Sequence, residues 1–155
     1  MLGIQSTNSA NPPSAVGATL GAGAVGPGRF TAMIGTSGAV RICSDRPRTD
    51  QATKNWCYNL ADKLWVVGGA INNGGLAFRW ARDTFGPVPY EALLQRAQQA
   101  PPGSDGLVFL PFLSGERSPH WNADARGVLF GLNLKHGRSH LIRATLEGVL
   151  YSMYS

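Results

Sequence analysis

Residues 21–41, "GAGAVGPGRFTAMIGTSGAVR", decide the fold, because they hold two glycine-rich turns on either side of a short apolar run. Each turn has the composition of a phosphate cradle. The first, with Gly21, Gly23 and Gly26, spells G-x-G-x-x-G, and Asp45 stands about where a dinucleotide-binding unit carries its ribose-binding acid. That fingerprint needs a strand before it and a helix opening at its last glycine, since helix N-terminal amides meet the pyrophosphate. Here Gly26 leads to Pro27 and Gly28 and then to Phe30, Thr31, Ala32, Met33 and Ile34, a run that predicts a strand. The context fails the dinucleotide test and is better read as a helix end or a flexible turn. The second turn, Gly35-Thr36-Ser37-Gly38, lies between that strand and another predicted over Ala39 to Cys43. Two strands joined in this way make a hairpin whose turn offers backbone amides and two hydroxyls to an anion. Gly and Ser also populate hairpin turns for geometric reasons, so the turn alone does not fix a role.

The chain has 155 residues, enough for one ordinary domain with a buried core. Hydrophobic residues make up 43% and charged residues only 15%, which predicts that part of the surface belongs against another domain. The net charge of +5 raises a nucleic-acid reading. Its basic residues are scattered: apart from Arg46 and Arg48, residues such as Lys54, Lys63, Arg79, Arg96, Arg117 and Lys135 stand alone, without aromatic interleaving. A solvated surface favourable to anions is the better account. Cys43 and Cys57 have neither metal-site spacing nor the density of a disulfide scaffold, which predicts reduced thiols in a cytoplasmic protein. No apolar stretch approaches the roughly 20 residues that cross a bilayer, and Met1 to Pro13 lacks the pattern of a secretory signal.

Residues 1–13 are polar and proline-bearing, and are expected to be a disordered lead-in. Ser14 to Val25 is expected to be a short buried helix. Trp56 to Leu60 and Leu64 to Val67 predict a second hairpin. In "GGAINNGGLAFRWARDTFG" the period changes, and Ile71, Leu76, Phe78, Trp80 and Phe85 fit a helix. Gly74 and Gly75 in its first turns cost about 1 kcal/mol each against a helix former, which points to a close backbone approach. A helix over Tyr90 to Ala100 presents Leu93, Leu94 and Ala97, a buried strand covers Leu107 to Leu110, and another strand covers Val128 to Leu132. Ser139 is read as the cap of a last helix whose stripe is Leu141, Ile142, Leu146, Val149, Leu150 and Met153. That helix is still running at Ser155, as expected of a truncated chain.

"IGTSGAVR", "WCYNL", "WVVGGAINNGGLAFRW", "LPFLSGERSPHWNADARGVLFGL" and "HLIRATLEGVLY" together resemble the FGGY family of carbohydrate kinases, and its gluconate kinases most of all. The similarity runs in order from about Leu20 to Ser155. Its most specific part spans Gly127, Gly131, Leu132, His140, Leu141, Ala144, Thr145 and Glu147, which is similar to the family's second signature. The resemblance implies an α/β fold: a partial ribonuclease-H-like, actin-like ATPase domain with a mixed sheet and flanking helices. Residues 14–155 would be the truncated C-terminal domain of a two-domain kinase that phosphorylates a sugar or sugar acid, D-gluconate being favoured. The sugar would lie mainly against the other domain.

On this resemblance the hairpin Gly35, Thr36, Ser37 and Gly38 approaches the phosphates of ATP, Gly74 and Gly75 let the nucleotide come near a helix start, and Asn73 is a further candidate beside them. Magnesium would arrive with ATP, held largely by phosphate oxygens and water. The family's catalytic aspartate falls on Ser14, whose hydroxyl cannot replace a carboxylate base, so the chain alone is expected to be inactive. Glu116 and Arg117 are read as a structural ion pair holding a loop, and Arg126 and Trp121 as structural too. His120, His136 and His140 stand isolated, with no metal-ligand spacing. The alternative function is a noncatalytic binding module that keeps the phosphate hairpin. The partner expectations are a small-molecule sugar, no nucleic acid, no membrane, and association of identical copies through an open sheet edge.

Overall fold

The computed structural model describes residues 13–52, 54–86 and 88–155, with backbone alone for 13–16. The lead-in expected over 1–13 lies, but for Pro13, outside the described residues. The first element is a helix, Pro13–Gly21 (α1), which ends four residues short of Val25. It lies on the surface: Thr19 is buried, while Leu20 and Val25 are half exposed.

The predicted hairpins both form. Phe30–Ile34 (β1) pairs antiparallel with Gly38–Ser44 (β2), and Trp56–Ala61 (β3) with Leu64–Ile71 (β4). β2 also pairs with β4, giving one antiparallel sheet in the order β1-β2-β4-β3. β4 runs on to Ile71, so the residue assigned to the next helix by its period instead closes a strand. The two periods overlap there, and the strand wins because Ile71 sits opposite Gly38 and packs into the core with Ala77 and Val149. Gly38 is itself required by that contact, since a Cβ would lie 2.9 Å from Ile71 Cγ1.

Two helices follow, Gly75–Phe85 (α2) and Tyr90–Gln98 (α3). On α3, Leu93 and Ala97 are buried against Ile142, but Leu94 is turned outward. A single 3-10 turn, Ser104–Gly106, leads to Val108–Leu110 (β5), which pairs with Val128–Phe130 (β6). β5 is half buried rather than wholly so: Phe109 faces the core, and Val108 and Leu110 face out.

The last helix, Arg138–Tyr154 (α4), crosses between the sheet, β5 and the two other helices. Its cap is Gly137, not Ser139: the Nδ1 of His140 accepts a hydrogen bond from the Gly137 amide at 3.1 Å. Its buried face is Ile142, Ala144, Thr145, Gly148 and Val149, and Leu150 is more than half exposed. The reason is Gly148, where a Cβ would run into the Phe109 carbonyl oxygen. The helix therefore brings Ala144 and Gly148 up to β5, with Leu141 packing at the side of that contact and Leu150 turned out. No helix among the described residues is long and apolar enough to cross a membrane.

Candidate functional site

The hairpin turn between β1 and β2 is seated on the first turn of α2. The amide of Gly75 donates to the Gly35 carbonyl at 2.7 Å, and those of Gly74 and Leu76 donate to the Thr36 carbonyl at 3.2 and 3.1 Å. α2 has no side-chain cap. Its orphan N-terminal donors are met by the hairpin instead. This contact also explains two glycines: a Cβ on Gly74 would lie 2.6 Å from the Ser37 carbonyl, and one on Gly75 would lie 2.7 Å from the Gly35 oxygen. The close approach inferred from their cost to the helix is thus already made within the chain, backbone to backbone.

A trans peptide unit points its N–H opposite to its C=O. With the carbonyls of Gly35 and Thr36 turned into α2, the amides of Thr36 and Ser37 point away from it. Among the described residues neither amide donates a hydrogen bond, and neither hydroxyl takes part in one. Gly35, Thr36 and Ser37 are exposed. Gly35 has no need to be glycine on internal grounds: its φ is ordinary, and the nearest atom to a Cβ there would be the Ser37 oxygen at 3.9 Å. Beside the turn is a shallow cleft of about 190 Å³ lined by Gly35, Thr36, Gly75, Leu76, Arg79 and Tyr90.

Arg79 and Tyr90 are the residues that the sequence reading missed. Arg79 stands one helical turn after Gly75, a spacing that puts both on one side of α2. Tyr90 opens α3, and its ring is held by Phe78 at 5.7 Å between centroids and by the Arg82 guanidinium 4.8 Å from the ring centroid. Asp83 raises the Arg82 pKa by accepting its hydrogen bond, which keeps that cation fixed. Open amides, free hydroxyls, an exposed glycine and a guanidinium fit a phosphate chain, and no carboxylate lines the cleft.

Asn73, though next to Gly74, is occupied elsewhere. It is fully buried, its Nδ2 donates to the Gly115 carbonyl at 2.8 Å and to Glu116 Oε2 at 3.4 Å, and its Oδ1 accepts from the amide and hydroxyl of Ser114. All four of its hydrogen-bonding positions are filled. Glu116 is structural, but not through the expected pair with Arg117. Its Oε1 accepts from the amides of Asn72 and Arg117 at 2.6 and 2.7 Å, while the Arg117 guanidinium donates to the Ile71 carbonyl. Arg126 donates to the carbonyls of Ala123 and Ala125, and the Trp121 indole to that of Lys54. Gly115, at φ +69, cannot carry a side chain because the Ala123 backbone lies 2.6 Å from where its Cβ would be.

The histidines are not all isolated. His136 and His140 lie 5.3 Å apart between ring centroids, and both reach Asp105: His140 through the carboxylate at 3.1 Å, His136 through the main-chain carbonyl at 3.3 Å. Their separation in sequence from Asp105 hid this. The cluster joins the 3-10 turn to the start of α4, and two helical turns later Glu147 ties the helix to the residue before that turn, accepting from Arg143 and from the Gly103 amide. Ser14 falls in the first turn of α1, outside the residues whose side chains are described.

Comparison with known proteins identifies the family and the fold. Residues 30–155 match the family model described as the FGGY family of carbohydrate kinases, C-terminal domain. The gluconokinase of Bacillus subtilis is 48% identical over 147 residues, covering 88% of this chain and 29% of its own length. The xylulose kinase of Escherichia coli is 37% identical, covering 92% and 31%. The chain thus spans about three tenths of the length of these curated relatives. Among solved structures, a gluconate kinase from Lactobacillus acidophilus superposes with a TM-score of 0.82 at 39% identity over 87% of this chain and 28% of its own. A ligand-bound xylulose kinase from the same organism gives 0.84 at 39% identity, over 88% and 28%. The fold is the actin-like ATPase type expected of that family, and the chain belongs to the FGGY family of carbohydrate kinases, whose C-terminal domain it carries from Phe30 onward.

Proposed function

We propose that this chain supplies the ATP phosphate-binding part of a kinase that transfers a phosphoryl group to a hydroxyl of a sugar or sugar acid, D-gluconate being the favoured substrate. The observation that carries the reading is the pair of outward, unpaired amides at Thr36 and Ser37, oriented by the anchoring of the two preceding carbonyls on α2. Gly35 leaves room for phosphate oxygens to reach those amides, the hydroxyls of Thr36 and Ser37 add donors, and Arg79 adds a cation across the cleft. Gly74 and Gly75 serve by letting the hairpin sit flush on the helix, and Gly38 by making room for Ile71 and Met153 behind the turn. Asn73 acts from behind, fixing the 114–116 loop under that junction. Magnesium would be held by phosphate oxygens and water, and would neutralise the charge that the hairpin gathers.

Gluconate is favoured over xylulose by the higher identity to gluconokinase, 48% against 37%. Sugar binding would lie mainly in the portion of the relatives that this chain does not cover, and cytoplasmic location follows from the same reading. With Ser14 at the place of the family's aspartate, the 155-residue chain has no carboxylate at the position that would take the hydroxyl proton and is expected to be inactive alone.

The test is titration of isotope-labelled chain with Mg-ATP and with inorganic tripolyphosphate, followed by amide NMR. Saturable shifts at Thr36 and Ser37 are expected with both. Shifts elsewhere only, or none, would overturn the phosphate assignment. Sugar-phosphate formation by the purified chain with gluconate, xylulose or glycerol would overturn the claim of inactivity.

A further inference from the structure

β5 and β6 are apolar at every position, Val-Phe-Leu paired with Val-Leu-Phe. An antiparallel pair with one wet face alternates apolar and polar residues, whereas strands covered on both faces read as continuous apolar runs. Among the described residues only one face is covered. Phe109 and Leu129 stand opposite each other and pack with Ala144 of α4. The cross-strand pairs on either side, Val108 with Phe130 and Leu110 with Val128, share the other face. All four are exposed, Phe130 by 71%.

Past the end of β6 the apolar character continues in Leu132, more than half exposed, and Leu134, wholly exposed. Leu134 is firmly presented. It lies inside a turn closed by the His136 amide on the Asn133 carbonyl at 3.1 Å and by the Lys135 amide on Asn133 Oδ1 at 2.9 Å. His136 ties the turn down: its Nδ1 accepts from the Asn133 amide at 3.1 Å, so the neutral ring carries its proton on Nε2, which donates to the Asp105 carbonyl at 3.3 Å. Gly131 completes the seating, since a Cβ there would lie 2.5 Å from the Gly106 carbonyl oxygen. A leucine held out on a braced turn loses little freedom on docking.

We propose that two copies of this chain meet here about a two-fold axis, Leu134 of each seated against Val108 and Phe130 of the other. The six side chains expose on the order of 700 Å² per copy, more than the roughly 300–600 Å² of a typical monomer's largest apolar patch and near the ~800 Å² per partner of a stable interface. None of the six is charged, so the face meets itself without repulsion at its centre. The portion of the kinase that this chain does not cover fits less well: it has to bring the sugar to the hairpin turn, and α4 stands between β5 and the sheet that carries that turn. This choice of occupant rests on the phosphate reading, whereas the association itself is measured without nucleotide.

The test is sedimentation of the purified 155-residue chain, with a dimer of Kd about 10 µM expected. Leu134→Asp, at a wholly exposed side chain, should leave the unfolding curve in place. It should weaken the dimer about a hundredfold, because the two-fold axis counts each substitution twice. Phe130→Asp should act in the same direction. Met33→Lys, on the open edge of the four-stranded sheet, should leave Kd within about twofold. A chain that stays monomeric at about 1 mM overturns the proposal and leaves the face to the uncovered portion of the kinase. Association that survives Leu134→Asp also overturns it, as does association abolished by Met33→Lys, which moves the contact to β1.

Discussion

The hairpin turn at 35–38 and the loop at 114–126 both combine glycine with hydrogen-bonding side chains, yet they differ in what remains unused. In the loop, Asn73, Ser114 and Glu116 meet one another and the local amides until Asn73 has no position left. In the turn, two carbonyls are anchored, and the amides and hydroxyls of Thr36 and Ser37 are left over. A ligand site is recognised by surplus capacity at the surface rather than by polar composition. The loop has the richer chemistry on paper and serves as the support.

That contrast can be broken by substitution. The largest effect is expected from Gly74→Ala, whose Cβ would meet the Ser37 carbonyl at 2.6 Å: about 3 kcal/mol lost in urea unfolding. Retention of full stability would mean that the turn is not seated on α2. Next comes Glu116→Ala, which leaves the amides of Asn72 and Arg117 without an acceptor and should cost about 2 kcal/mol. In a tripolyphosphate titration of the folded variant, affinity should stay within about twofold of the parent, since Glu116 only supports (~0.4 kcal/mol in binding). A smaller effect on the fold is expected from Thr36→Ala with Ser37→Ala, within about 0.5 kcal/mol in unfolding because neither hydroxyl has an internal partner. The same double variant should weaken tripolyphosphate binding by about tenfold. The smallest change in stability belongs to Gly35→Ala, whose Cβ meets nothing closer than 3.9 Å. Its unfolding curve should overlay the parent while its phosphate affinity drops, and an unchanged affinity would show that no ligand comes to that side of the turn.

Much of the fold was legible because strands and hairpins are short-range objects. The apolar runs at 30–34 and 64–67 and the turn residues between them sufficed for both hairpins. The failures share a cause in contacts between residues far apart in the chain. Nothing near Gly74 announces that its neighbour is Ser37, nor does Asn73 reveal a partner at Gly115. Leu94 and Leu150 fit an apolar stripe by period, but α3 and α4 are rotated by where Leu93 and Gly148 find room. Among the site residues, Arg79 could have been found from its spacing to Gly75, whereas Tyr90, on another helix, could not.

The seating of the turn on α2 has a consequence for motion. Because the carbonyls of Gly35 and Thr36 are the acceptors for the opening amides of a helix, the turn cannot swing outward without fraying the first coil of that helix. Ordering of one is ordering of the other. Solvent exchange at the amides of Gly74, Gly75 and Leu76, which are already committed to those carbonyls, should therefore slow whenever the turn is engaged, making three backbone protons a gauge of occupancy.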